Sequence, residues 1–477
     1  MELAHPGMKG VGLRESCGIF GVYAKGEEVA GLAYFGLYAL QHRGQESSGI
    51  ASADGSRIRL HSAMGLVAQV YNEASLDQLR GSIAVGHNRY STTGSSRIFN
   101  AQPIVVPSPF GEVALAHNGN IVNAGYLRRE LEERGYTFST TSDSEVIAYL
   151  LVSSPGKDLI QKLKHTMGRL QGAYSLVIMT TDKLFGVRDP IGVRPLCLGS
   201  INGGRVLASE TCALDHLGAD FLREVEPGEI VVIDESGVNS FKVGRVGKRA
   251  LCIFEFIYFA RPDSVISGRC LYPARQAMGA QLTREHPVDA DLVVGVPDSA
   301  TAAGIGYSFA SGIPFTEGLL KNRYVGRTFI EPEQRLRDLG VKLKFNPLPD
   351  VLRGKRLVVV DDSIVRGTTT PQVINLLRRA GATEIHMRIC APPIRYPCFF
   401  GVDMATRQEL IAAQKTIPEI AELIGADSLG YLSVDGLIEA VGLPKESFCL
   451  ACFTGEYPVP VQLEMDKLEL ETLPEAG

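Results

Sequence analysis

The apolar pattern of this chain changes character near residue 250. Before it, short runs with β-branched residues at 83–87, 113–117, 175–180, 186–188 and 229–233 alternate with glycine-rich turns. That pattern predicts antiparallel strands. Helical spacing at 125–134 and 144–151 predicts two amphipathic helices among them. Stacked antiparallel sheets with helices outside satisfy both signals. After residue 250 the apolar runs 292–296 and 356–360 and the more mixed strand-like stretch 384–390 are separated by helical stretches. Strands buried on both faces read this way, so the second half is predicted to be α/β with a parallel sheet. No internal repeat or low-complexity segment stands out, and the acidic stretch 459–477 reads as a peripheral helix or a frayed tail.

A chain of 477 residues exceeds what one core organises, which implies at least two domains. The expected division is 1–16, 17–250, 251–458 and 459–477. Apolar content of 45% and charged content of 21% are those of an ordinary globular protein. A net charge of −5 gives nucleic acid or an anionic membrane surface nothing to recognise. No apolar run approaches the roughly 18–20 residues that span a bilayer. The first sixteen residues lack the charged start and apolar core of a secretory signal, so a cytoplasmic protein is expected. In that compartment nine cysteines serve as thiols, nucleophiles or metal ligands rather than disulfides.

The densest chemistry lies at 357–370, Leu-Val-Val-Val-Asp-Asp-Ser-Ile-Val-Arg-Gly-Thr-Thr-Thr. A buried strand delivers Asp361 and Asp362 to its carboxyl end, and a turn rich in hydroxyls leads into a helix predicted at 372–380. Backbone N–H groups and hydroxyls at a helix start cradle phosphate, while paired carboxylates suit sugar hydroxyls or Mg²⁺. An Asp-Asp pair alone is equally a common strand ending. The complete order resembles the diphosphoribosyl-binding signature of type I phosphoribosyltransferases. The resemblance implies that Ser363, Val365, Arg366, Gly367, Thr368 and Thr369 hold a 5′-phosphate, with Asp361 and Asp362 on ribose and near Mg²⁺. It likewise implies that Val-Gly-Val-Pro-Asp-Ser, ending at Ser299, lies on the pyrophosphate side with Ser299 near the metal; the plain alternative is an ordinary strand–turn–helix. The connection 319–346 carries seven Lys and Arg residues. It reads either as a solvated segment or as a cationic lid with Lys321, Arg323 and Tyr324 against substrate.

Nearer the start, Cys17 lies in Glu-Ser-Cys-Gly-Ile-Phe-Gly. Taken alone it is a buried strand cysteine. Gln-His-Arg-Gly-Gln-Glu at 41–46, His-Asn-Arg-Tyr-Ser-Thr at 87–92, His-Asn-Gly-Asn at 117–120 and Ser-Asp-Ser-Glu at 142–145 follow it. Together these clusters resemble the class II glutamine amidotransferase domain, an N-terminal-nucleophile hydrolase of four-layer αββα architecture, over about residues 17–235. Amide hydrolysis needs a nucleophile, a base and oxyanion donors. Loss of the leader 1–16 would give Cys17 a free α-amine, whose pKa of about 7.7–8.0 suits a base near neutrality. The resemblance assigns Asn118 and the Gly119 N–H to the oxyanion, Arg89 to the glutamine α-carboxylate and Asp143 to its α-ammonium. The plain alternatives are an ion pair for Arg89 and a helix cap for Asp143.

The two halves jointly resemble the glutamine phosphoribosylpyrophosphate amidotransferase family over nearly the whole chain. That implies glutamine and phosphoribosylpyrophosphate as substrates, purine nucleotides as feedback inhibitors and a homotetramer. The Cys-Leu-Ala-Cys pair Cys449/Cys452 could hold zinc, act in redox chemistry or pack in the core. The flanks of Cys252, Cys398, Cys449 and Cys452 resemble the cluster-bearing, leader-processed branch of the family, which implies a structural [4Fe–4S] group. Cys197, Cys212, Cys270 and Cys390 are expected to pack in the core. Tyr-Phe-Ala-Arg-Pro-Asp-Ser at 258–264 matches a family segment near the domain junction. Two other functions compete: a phosphoribosylpyrophosphate sensor without catalysis, and a class II amidotransferase acting on another acceptor. The set Cys17, Arg89, Asn118 and Asp143 disfavours the first, and the 361–369 signature disfavours the second.

Overall fold

A computed structural model describes residues 17–90, 94–243, 247–322, 345–402, 404, 406–461 and 470. The first half is built on two antiparallel sheets. One has seven strands in the order Asp220–Glu224, Cys197–Ile201, Gly204–Ala208, Gly18–Tyr23, Ile83–Arg89, Ser47–Ala53, Ile58–Met64. The other has six, in the order Gly237–Lys242, Glu229–Asp234, Leu184–Arg188, Gly172–Met179, Gly111–Ile121, Ile104–Ser108. Strand alternation sorts the side chains into layers. Ile19, Val85, Ala114, Ala116, Val177 and Leu207 fill the space between the sheets. Phe20, Val22 and Val206 face outward under the helices Val29–Ala39 and Thr211–Leu217. Val113, Leu115 and Ile178 lie under Ala124–Glu133, Asp143–Ser153 and Leu159–Arg169. The expected αββα order is observed.

The second half carries a fully parallel four-stranded sheet, Leu292–Gly295, Arg356–Asp361, Glu384–Ile389 and Ser428–Tyr431. Val358 and Val359 are wholly buried, as their unbroken apolar run requires, and so are Ile385 and Met387 in the mixed strand beside them. The fold class is therefore a four-layer N-terminal-nucleophile hydrolase unit followed by a type I phosphoribosyltransferase unit.

At the junction, the Ala250 and Cys252 N–H groups donate to the Ile191 and Val193 carbonyls. The short strand Leu251–Cys252 also pairs in parallel with Phe448–Cys449. Ala173, Ile191 and Val193 of the first half share one core with the second. Leu470, in the acidic C-terminal stretch, is buried and belongs to the same core cluster as Val113, Leu115 and Ile178. Cys270 departs from its expected core position. It is exposed at the end of the two-stranded ribbon Val265–Ile266/Arg269–Cys270. Among the described residues no helix is long and apolar enough to cross a membrane.

Candidate active sites

Cys17 immediately precedes the strand Gly18–Tyr23, whose register sets Gly18 against Asn88. That pairing brings the Cys17 thiol to 3.3 Å from the Tyr90 carbonyl, and the Tyr90 N–H to 3.4 Å from the sulfur. Burial pushes the thiol up to about 11, with Arg89 opposing the effect, so at neutral pH it is a thiol awaiting a base. Cys17, Arg89, His117, Gly119 and Asp143 line one pocket. Four sequence-distant clusters thus meet at the ends of strands from the two sheets.

The strand expected at 113–117 runs on to Ile121 and carries Asn118 and Gly119 into the ladder opposite Ser175 and Tyr174. Alternation puts Asn118 on the same side as Ala114 and Ala116, in the layer between the sheets to which Ile19, and hence Cys17, also points. Asn118 is wholly buried, and its amide oxygen and nitrogen have no hydrogen-bond partner among the described residues. An unpaired buried amide costs about 1–3 kcal/mol, and leaves Asn118 with both a donor and an acceptor to offer. Gly119 has φ +152°, and a Cβ there would lie 2.0 Å from the Ala173 oxygen. Only glycine keeps this bend.

Arg89 is almost fully buried; it donates to the Ser95 carbonyl at 3.1 Å and stands 3.5 Å from Glu46. Asp143 is not the helix cap. Ser142 caps that helix by accepting from the Ser144 N–H, and the Asp143 carboxylate instead accepts the Ile121 N–H at 3.1 Å. It also faces His117 at 3.7 Å. Burial alone would raise the Asp143 carboxyl, but His117, the Ile121 N–H and Arg89 outweigh it and hold the group below the usual range. Behind the pocket, burial drives His87 down to about 3, keeping it neutral, while its Nε2 meets the His117 carbonyl at 3.0 Å.

Beside this pocket lies a charge network that motif reading did not assemble. Arg43, wholly buried, donates to the Cys17 carbonyl at 3.2 Å and to Glu210 and Glu255. Arg194, equally buried, donates to Glu255 Oε1 at 3.0 Å, an oxygen that Arg43 also reaches, and to the Phe400 carbonyl. Glu210 also accepts from the Arg261 N–H and the Ser264 hydroxyl, which ties the 258–264 segment to the first half. Burial would raise Glu210, but His42 and Arg43 hold it far below the carboxylate range. The sequence signal was Glu255 itself, a lone charge within Cys-Ile-Phe-Glu-Phe-Ile-Tyr-Phe; acids are almost never fully buried unless paired.

In the second half, Gly295 lies opposite Val360 in the parallel ladder. The loops carrying Asp298–Ser299 and Asp361–Asp362 therefore leave neighbouring strand ends side by side, where open α/β sheets bind ligands. The Asp362 N–H donates to the Asp361 carboxylate, and the Ser363 hydroxyl donates to that of Asp362. Gly367 has φ +67°, and a Cβ there would press on Ile411 at 2.5 Å. Thr368 is exposed and Thr369 half-buried at the start of the helix Thr370–Arg379. Two assigned residues contribute differently from expectation. Val365 puts its side chain in the core and its carbonyl onto the Ile411 N–H, which leaves only its own N–H to offer. The Arg366 guanidinium is turned to Glu409 at 2.9 Å. Ser299 is half-buried just before the helix Thr301–Ser311, which neither it nor Thr301 caps. Lys321 pairs with Asp298 at 2.6 Å. Arg323 and Tyr324 lie outside the described residues.

The four cysteines singled out together do gather. Cys252 sits opposite Cys449 in the parallel pair, and the Cys452 thiol is influenced by Cys449, Cys252 and Cys398. Burial raises all four, Cys252 to about 12. Backbone N–H groups two residues on favour the thiolate: Phe254 toward Cys252, Phe400 toward Cys398 and Ala451 toward Cys449. The Phe400 N–H lies 3.4 Å from the Cys398 sulfur. Among the described residues no three His, Cys, Asp or Glu side chains form a ready ligating group. Protonated thiols pack as small apolar groups, and ligation requires their deprotonation.

An αββα unit with a buried cysteine at its head, joined to a parallel sheet with an acidic, hydroxyl-rich turn at one strand end, has the make-up of a glutamine amidotransferase coupled to a phosphoribosyltransferase. Residues 87–216 match the glutamine amidotransferase domain family. The chain is 53% identical to the amidophosphoribosyltransferase of Synechococcus elongatus over 96% of its own length and 95% of the relative's. With the Bacillus subtilis enzyme of that name it shares 47% identity over 94% of this chain and 95% of the other. Its structure superposes on glutamine phosphoribosylpyrophosphate amidotransferase from B. subtilis, complexed with ADP and GMP, with a TM-score of 0.90 at 45% identity, covering 95% and 100% of the two chains. The allosteric regulatory enzyme of purine biosynthesis gives 0.89 at 46% identity, covering 94% and 97%. The chain belongs to the amidophosphoribosyltransferase family.

Proposed function

We propose that this chain performs the amidophosphoribosyltransferase reaction with a division of labour between its halves. Phosphoribosylpyrophosphate, glutamine and water give 5-phosphoribosylamine, glutamate and pyrophosphate, the first step of purine synthesis. Removal of 1–16 frees the Cys17 α-amine, which takes the proton of the buried thiol as sulfur attacks the glutamine amide. Asn118 and the Gly119 N–H stabilise the oxyanion, each donor contributing on the order of 10²–10³ in rate. Arg89 exchanges Glu46 for the glutamine α-carboxylate, and ionised Asp143 takes the α-ammonium. The ammonia released must reach C1 of the ribose before water protonates it, so a dry passage serves the chemistry.

In the second half the 363–369 turn holds the 5′-phosphate through N–H groups and hydroxyls, and Asp361 and Asp362 meet the ribose. The half-buried carboxylate of Asp361 at an open strand end fits Mg²⁺, which Asp362 and Ser299 would help to hold. When bound, Mg²⁺ neutralises charge on the departing pyrophosphate. Cys252, Cys398, Cys449 and Cys452 would hold a [4Fe–4S] group joining distant segments, a reading supported by their convergence and by the N–H groups that favour their thiolates. Purine nucleotides would inhibit, as the ADP- and GMP-bound relative suggests, and a homotetramer is the expected assembly.

The unpaired, buried Asn118 amide beside the Cys17 layer carries this reading. The test is Cys17→Ala in the full chain. It is expected to abolish glutamine-driven phosphoribosylamine formation while synthesis from added ammonia continues; unchanged glutamine use would overturn it. Mass spectrometry for loss of 1–16 and an iron and sulfide assay check the two finer assignments.

A further inference from the structure

The segment bearing Cys398 belongs to the second half, yet it touches the glutaminase pocket from two directions. The Asn120 side-chain amide, one residue beyond Gly119, donates to the Phe399 carbonyl at 2.9 Å across 279 positions of sequence. Gly401 packs on the bend itself. With φ +96° it lies so close that an added Cβ would meet the Gly119 oxygen at 3.0 Å and carbon at 3.1 Å. From the other side the Phe400 carbonyl accepts from Arg194 at 2.9 Å, Arg194 pairs with Glu255, and Glu255 pairs with Arg43, which donates to the Cys17 carbonyl. Every side chain in that relay is wholly buried, so the relay is shielded from salt and water. Residues 398–401 thus contact directly the peptide that follows the Gly119 N–H, and reach the Cys17 carbonyl through three side chains.

We propose that residues 398–401 act as a strut that fixes the glutaminase pocket from the neighbouring domain, with Asn120 and Gly401 as positioning residues. The strut rests on the assignment of Cys17 and Gly119 to glutamine hydrolysis. Neither positioning residue lines the pocket. Their influence is therefore on the alignment of the Gly119 N–H with sulfur, and less on glutamine affinity. Displacements below 1 Å at such a site cost up to about a hundredfold in rate.

The experiment compares the parent enzyme with Asn120→Ala, which removes the donor to the Phe399 carbonyl, and Gly401→Ala, which pushes on Gly119 from the other domain. Glutamate release and ammonia-dependent phosphoribosylamine synthesis are measured for each. Both variants are expected to lower the glutamine kcat roughly tenfold to a hundredfold, leave KM within about twofold and spare the ammonia-dependent rate. A parent-like glutamine kcat in both overturns the strut. So does a parallel loss of both activities, which would make the contact one of folding alone. If the parent itself releases no glutamate that Cys17→Ala removes, the reading of the pocket fails instead.

Discussion

Replacing Asp143 by Asn tests the glutamine site with little disturbance to the fold. The carboxylate is 4% exposed, and one oxygen accepts the Ile121 N–H at 3.1 Å. The asparagine oxygen can keep that bond, so the strand end should stay in place. What disappears is the negative charge that His117, the Ile121 N–H and Arg89 hold ionised against burial. A charge-assisted hydrogen bond contributes about 1.5–3 kcal/mol. At about 1.36 kcal/mol per factor of ten, the expected rise in KM for glutamine is roughly 10- to 150-fold. The α-ammonium is remote from the scissile amide, so kcat should fall no more than a few-fold. Glutamate release measured against glutamine concentration reads both constants, and ammonia-dependent synthesis reports whether the protein is intact. An unchanged KM with a collapsed kcat would refute the reasoning and show that Asp143 acts by holding His117.

Asp361→Asn should lower kcat/KM for phosphoribosylpyrophosphate by roughly a hundredfold, the cost of about two charge-assisted contacts. The loss should be equal with ammonia and with glutamine as nitrogen donor; a loss confined to the glutamine reaction would contradict the assignment. His87 links stability to pH. Its folded value lies at about 3, below the ordinary 6.5, because burial disfavours the cation. The unfolded chain therefore binds the proton first, and stability present above 6.5 is lost as pH falls toward 3. Between pH 7 and pH 5 this loss is about 2 kcal/mol. Urea unfolding at the two pH values should show it in the parent, and His87→Asn should remove that share; an identical pH dependence in the variant would count against it.

The sheets were legible because burial imposes different periods on different strands. Residues 357–360 are covered on both faces and admit no polar position, whereas 113–117 faces helices with one set of side chains and the second sheet with the other. Its true end at Ile121 was hidden by Asn118, Gly119 and Asn120, which resemble a loop in composition but continue the ladder through the Gly119 bend. The helix Val29–Ala39 gave a weak signal for another reason. It is apolar around most of its circumference, and Gly36 is there because the Phe20 ring occupies the space where a Cβ would stand, 2.4 Å away. Close packing of this kind leaves no amphipathic stripe to read.

Charge is where sequence reading ran out, and Glu255 shows why. An acid enclosed by aromatic and β-branched neighbours has to be neutralised, because the cost of burying it alone is several kcal/mol. That argument requires a partner but cannot choose among 48 Lys and Arg residues. The choice was made by topology: Arg43 follows the helix that packs beside the nucleophile strand, and Arg194 ends the segment that Ala250 and Cys252 hydrogen-bond alongside. Only when both halves are folded do the two arginines and the two acids Glu210 and Glu255 come together, with formal charges that cancel. Removing Arg43 would leave Glu210 to His42 and Glu255 to Arg194, whereas removing Glu255 takes from Arg194 the carboxylate it pairs with across the junction and from Arg43 one of its two. The network therefore makes the glutaminase half dependent on the presence of the other, a constraint that resides in the assembled junction and in no single motif.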